Sequence, residues 1–152
     1  MTTYIEALNK YNVNDTDDLS VFLGGGITGC PDWQAEMRSK LEGLPITILN
    51  PRRANFPIED PSAGKEQITW EYDQLARATA ILFWFPCETL CPITLYELGK
   101  WSHSHKPLFV GVHPDYKRRF DVEMQTSLAR TDVKVCYSLD ELASQVRAFA
   151  TR

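Results

Sequence analysis

No apolar run in these 152 residues approaches the roughly 20 needed to cross a bilayer as a helix. Basic charge is not in excess either. Sixteen Lys and Arg stand against 20 Asp and Glu, giving a net charge of −4 and a pI near 5.4. That composition carries no electrostatic footprint for DNA, RNA or an anionic membrane, although a small site can still hold a local positive patch. The opening residues, Met1-Thr2-Thr3-Tyr4, lack a basic region followed by an apolar core. No secretory signal is therefore expected, and the cytoplasm is the default compartment. Neither G-x-G-x-x-G nor G-x-x-x-x-G-K-[ST] occurs, which removes the dinucleotide fingerprint and the P-loop. Cysteine is limited to Cys30, Cys87, Cys91 and Cys136, and His103, His105 and His113 form no zinc spacing with them. Neither a metal site nor a disulfide is expected.

What is present is an ordinary globular composition, 43% hydrophobic and 24% charged, in a length that suits one domain. Residues 1–19 are polar and read as a peripheral arm, with a short helix over 5–11. Residues 20–152 read as the domain proper. Short apolar runs at 19–23, 46–49, 80–85, 107–112 and 133–137 predict five strands. Between them lie helical patterns at 31–41, 66–77, 93–104 and 117–129, and a last helix opens at Ser138 with Glu141 three residues on, a capping-box spacing. Pro31 and Pro92 fit first helical turns. In the 66–77 helix, Ile68, Tyr72, Leu75 and Ala76 form the expected buried stripe. Residues 54–65 hold Pro57, Pro61 and Gly64 and read as a long loop. Strands alternating with helices predict a single α/β domain, flavodoxin-like (Rossmann-like), with a mainly parallel five-stranded sheet of order 2-1-3-4-5 and helices on both faces.

Ligands in such sheets sit outside the carboxyl ends of the strands. Three stretches fall there. Gly24-Gly25-Gly26 ends the first strand; it is either a turn needing positive φ or a place where backbone approaches a ligand. Asn50-Pro51-Arg52-Arg53 ends the second, and its arginines are either a solvated pair or a grip on phosphate or carboxylate. The third runs from Phe85 to Gly99 and carries Glu88 and Thr89 on a loop and Glu97 on a helix. Thr94, Glu97 and Trp101 are three and four apart, so they share a helix face. Glu97 is either a surface glutamate or a carboxylate kept ionised near the positive end of its helix, as a nucleophile requires. Glu71 and Asp73 are two apart in the preceding helix, so only one of them can face such a site.

Taken in order, these stretches resemble the nucleoside 2-deoxyribosyltransferase-like family over about residues 20–137. The carrying motifs are Phe22-Leu23-Gly24-Gly25-Gly26-Ile27, Asn50-Pro51-Arg52-Arg53, Gln67-Ile68-Thr69-Trp70-Glu71, Pro86-Cys87-Glu88-Thr89 and Pro92-Ile93-Thr94-Leu95-Tyr96-Glu97-Leu98-Gly99, with His113-Pro114-Asp115-Tyr116 and residues 121–125 behind them. The resemblance implies transfer of a 2-deoxyribosyl group between nucleobases through a covalent glycosyl-enzyme ester on Glu97. Glu71 would position the sugar or protonate the base. Gly25, Gly26 and Ile27 would give backbone contacts. Glu88 and Thr89 would face the base, with Thr94 beside the nucleophile, and Arg52 would meet a 5′-phosphate if the substrate is a nucleotide. Where better-studied members carry an aspartate before the nucleophile, Cys91 stands here and Glu88 is the nearest acid. A nucleoside or nucleotide N-glycoside hydrolase would use the same nucleophile, and a non-catalytic nucleotide-sensing module would keep the fold alone. The implied partners are a nucleoside or nucleotide and a free base, with no cofactor, and a homo-oligomer whose neighbouring subunit adds polar groups, for which Asp121 and Gln125 are candidates.

Overall fold

The computed structural model describes residues 1–9, 19–54 and 61–152. Ten elements follow in chain order: β1 (Thr3–Glu6), β2 (Leu19–Gly25), α1 (Trp33–Lys40), β3 (Ile46–Asn50), α2 (Pro61–Arg77), β4 (Ala80–Phe85), α3 (Pro92–Ser102), β5 (Leu108–Val112), α4 (Arg119–Ala129) and α5 (Leu139–Ala150). The strands form one parallel sheet of order β1-β3-β2-β4-β5.

The central strands are mostly apolar on both faces because both faces of the sheet are covered, with Ser20, Thr47 and Asn50 as buried polar exceptions. β4 is buried at every position. Its odd-numbered residues Ile81, Phe83 and Phe85 pack with Trp70, Leu75, Leu98 and Val122, under α2, α3 and α4. Its even-numbered residues Ala80, Leu82 and Trp84 pack with Trp33, Met37, Leu142 and Val146, under α1 and α5. Period-two alternation of the strand thus feeds two separate cores.

The expected α/β sheet is present, and its central order 2-1-3-4 is reproduced by β3-β2-β4-β5. Its two edges differ from expectation. Residues 3–6 form a strand on β3 where a short helix over 5–11 was predicted; residues 10–18 lie outside the described residues. Residues 133–137 form no strand, only the single bridge Gly111–Cys136. Cys136 bonds Val110 and Val112 across that bridge, while the Lys134 carbonyl accepts from Gln145 Nε2 of α5 at 3.1 Å. α2 begins at Pro61, inside the segment read as a loop, while 55–60 lie outside the described residues. Pro31 precedes the first turn of α1, which Asp32 caps by accepting from the Ala35 amide. Pro92 starts α3 as expected. No helix among the described residues is long and apolar enough to cross a membrane.

Candidate active site

The chain runs from β2 outward to β3 and returns to the far side of β2 as β4, so the strand order reverses between β2 and β4. Loops leaving their carboxyl ends diverge there and leave a crevice. A cavity of about 490 Å³ occupies it, large enough for a small organic molecule. Its floor is Phe22 and the β2–α1 turn from Gly24 to Thr28. One wall is α2, through Ile68, Glu71, Tyr72 and Leu75. The other is α3, through Pro92, Thr94, Glu97, Lys100 and Trp101.

The glycine turn is shaped by space rather than by unusual dihedrals. Positive φ occurs at Gly29 and Gly43 but not at Gly24, Gly25 or Gly26. A Cβ on Gly25 would lie 2.5 Å from Trp33 Cζ2 and 2.5 Å from the Trp84 carbonyl oxygen. On Gly26 it would lie 2.9 Å from Cys30 Sγ and from Pro86 Cγ. The Gly26 carbonyl is turned toward α1, accepting from Trp33 Nε1 at 2.9 Å and Gln34 Nε2 at 3.2 Å. The loop after β4 is held from β5. Phe85 accepts from the His113 amide, Tyr116 packs on the Phe85 ring at 5.2 Å, and the Tyr116 hydroxyl donates to the Leu90 carbonyl at 2.6 Å. Cys91 then caps α3 in the left-handed conformation, at φ 52°.

Glu71 and Glu97 face the same cavity from adjacent helices. Burial raises both. Glu97 is pushed up to about 7, with the Lys100 ammonium partly opposing the rise. Glu71 is pushed up to about 8, by burial first and by the Glu97 charge second. The asymmetry follows from the order of ionisation: Glu97 loses its proton beside a neutral neighbour, Glu71 beside an anion. The pair therefore offers one carboxylate and one carboxylic acid in the same space near neutral pH.

Of the residues expected from sequence, Gly25, Gly26, Ile27, Glu71, Thr89, Thr94 and Glu97 line this cavity together. Asp73, two residues from Glu71, is exposed on the other side of α2, as the helix period requires. Arg52 and Glu88 do not line it. Arg52 Nη2 donates to the carbonyls of Ile27 and Cys30, and Nη1 pairs with Asp32 at 3.2 Å. It clamps the turn from behind. Glu88 is exposed and accepts from Cys87 Sγ at 3.4 Å. Asp121 and Gln125 line a separate cavity of about 200 Å³ between α3 and α4. The expected stripe on α2 is buried only at Leu75: Ala76 is exposed, and Ile68 and Tyr72, 67% and 62% exposed, stand at the cavity mouth. Trp70 and Gln74 are buried in their place. Sequence reasoning missed Lys100 and Tyr72. The signal for Lys100 was its position three residues after Glu97.

A family model described as nucleoside 2-deoxyribosyltransferase like matches residues 18–116, well over half of the chain. The chain belongs to the nucleoside 2-deoxyribosyltransferase-like family. Comparison with individually curated proteins gives no match. The family match contains β2 to β5 and every residue that lines the larger cavity, and it ends at Tyr116, the brace of the β4–α3 loop. In this member of the family α4 and α5 lie beyond the matched region, with Asp121 and Gln125 among them.

Proposed function

We propose that this protein transfers the 2-deoxyribosyl group of a 2′-deoxynucleoside between nucleobases. One observation carries the reading: two carboxyl groups with raised pKa, Glu71 and Glu97, share a cavity at the carboxyl edge of the sheet. The ionised Glu97 attacks the anomeric carbon as the bond to the base breaks. Glu71 delivers its proton to the departing base. The glycosyl ester then reacts with a second base, whose N–H proton returns to Glu71 as the ester bond breaks and Glu97 is released as carboxylate. Two displacements retain configuration. The protons and electron pairs balance within the two carboxyl groups and the bases. Gly25, Gly26, Ile27, Thr89 and Thr94 border the substrate. Arg52, committed to the turn, acts on its shape rather than on a phosphate.

Incubation with a deoxynucleoside and a different free base, followed by chromatography, tests this. The expected result is base exchange that falls by about 10⁴-fold or more in Glu97→Ala. Free base without exchange would instead identify an N-glycoside hydrolase, and tight binding without turnover a sensing module. The reading includes a homo-oligomer. Ile68, Tyr72, Ile93 and Tyr96, each at least 62% exposed, surround the cavity mouth, so a second copy seated there would cover apolar surface continuous with the site. Light scattering on the purified chain checks it, and a monomer would oppose it.

A further inference from the structure

Lys100 is the only basic residue lining the larger cavity among the described residues. It follows Glu97 by three residues, so α3 carries both side chains on one face. Its ammonium lies 4.3 Å from the centroid of the Tyr72 ring and 5.2 Å from that of Trp101. Two ring faces attract a cation and restrict a stem that is otherwise free to wander. Tyr72 belongs to α2 and follows Glu71 directly. The ammonium is thereby drawn into the gap between the two helices that carry the carboxyl groups.

The ionisable groups around Glu97 are few. α2 brings Glu71 and Tyr72, the cap of α3 brings Cys91, and α3 itself brings Tyr96 and Lys100. The end of β2 and the β2–α1 turn contribute Gly24 to Thr28 and no ionisable side chain, and the segment after β3 contributes Pro51. Arg52 is held behind that turn by Asp32 and two carbonyls. Lys106 reaches the Trp101 ring as well, at 4.4 Å, but its ammonium is committed to the Leu75 and Ala76 carbonyls and does not line the cavity, so among the described residues Lys100 is the one cation on the lining.

We propose that Lys100 is the positioning residue that sets the charge of Glu97, keeping this carboxyl group ionised while Glu71 retains its proton. The proposal deepens the transferase reading and rests on it in taking Glu97 as nucleophile. The charge effect itself can be measured without turnover. Its direction agrees with the opposition that Lys100 offers to the burial-driven rise at Glu97. Its size is modest, because the ammonium is exposed and water screens it.

Carboxyl-carbon NMR titration of the whole chain tests this, with Glu97→Gln assigning the Glu97 signal. In Lys100→Met the Glu97 midpoint is expected to rise by about 0.5–1 pH unit. Lys100→Gln should do the same, and Lys100→Arg should restore the wild-type midpoint. In base-exchange assays the acid limb of kcat/KM should move with the titration. An unmoved midpoint in a Lys100→Met or Lys100→Gln chain that melts like wild type overturns the proposal. Failure of Lys100→Arg to restore the midpoint also overturns it. A midpoint that moves in a chain showing no base exchange would support the role of Lys100 and count against the transferase reading.

Discussion

Glu71 and Glu97 are each other's environment. Both sit in a cavity walled by Phe22, Ile68, Leu75 and Trp101, where charge is poorly solvated. Chemistry that needs one group ionised and the other protonated is confined to a narrow window, between about 7 for Glu97 and about 8 for Glu71. The rate of base exchange should therefore peak between these values, with the limbs belonging to the pair rather than to either residue. Glu71→Gln should remove the alkaline limb and slow exchange by about 10²–10³-fold, less for bases that leave readily. A pH–rate series on two deoxynucleosides with different leaving bases checks both statements.

The elements hold these side chains through a few short supports. The β2–α1 turn can lie against Trp33 and Trp84 only because Gly25 has no side chain. Gly25→Ala places a carbon against the Trp84 backbone, which cannot give way as a side-chain tip can. It should cost about 1–3 kcal/mol or more in urea unfolding, and substrate binding should weaken with it. The β4–α3 loop depends on Tyr116, which is 3% exposed and bonds Leu90 from the end of β5. Tyr116→Phe keeps the ring against Phe85 and removes the hydroxyl. Exposed Leu90 can turn its carbonyl to water, so the expected loss is about 0.5–1.5 kcal/mol. Hydrogen exchange should quicken at the start of α3 more than in β4.

At the scale of the whole molecule, the site opposes the fold. From the ordinary carboxyl value of 4.5 up to about 8, the folded chain keeps protons on Glu71 and Glu97 that the unfolded chain has released. Stability rises with pH where the unfolded state binds more protons; here the native state binds more, so these groups lower stability as pH rises through that window. Glu71→Gln should flatten this decline and make the protein more stable than wild type at pH 8, by about 1–3 kcal/mol. Thermal unfolding at pH 5 and pH 8 measures it. A variant that gains stability while losing exchange would mark the site as a place where function holds the fold below its optimum.

Short continuous apolar runs made β2, β3, β4 and β5 legible, and with them the crevice between β2 and β4, because a strand covered on both faces must be apolar on both. The spacing from Thr94 to Trp101 put Glu97 on a definite face of α3, and the two-residue offset separated Glu71 from Asp73. The chain's own order of residues determined that much. Tertiary structure decided the rest. The segment at 3–6 gained an edge of β3 to pair with, and the one at 133–137 kept only a single bridge to β5, with the Lys134 carbonyl bonded to α5 through Gln145. The α2 stripe divided, Leu75 entering the core while Ile68 and Tyr72 stayed exposed at the cavity mouth. Arg52 was drawn to the back of the turn by Asp32, and Lys100 to the front by Tyr72 and Trp101. A charge on a long stem goes wherever distant elements place its partners, and no local pattern of residues records where those will be.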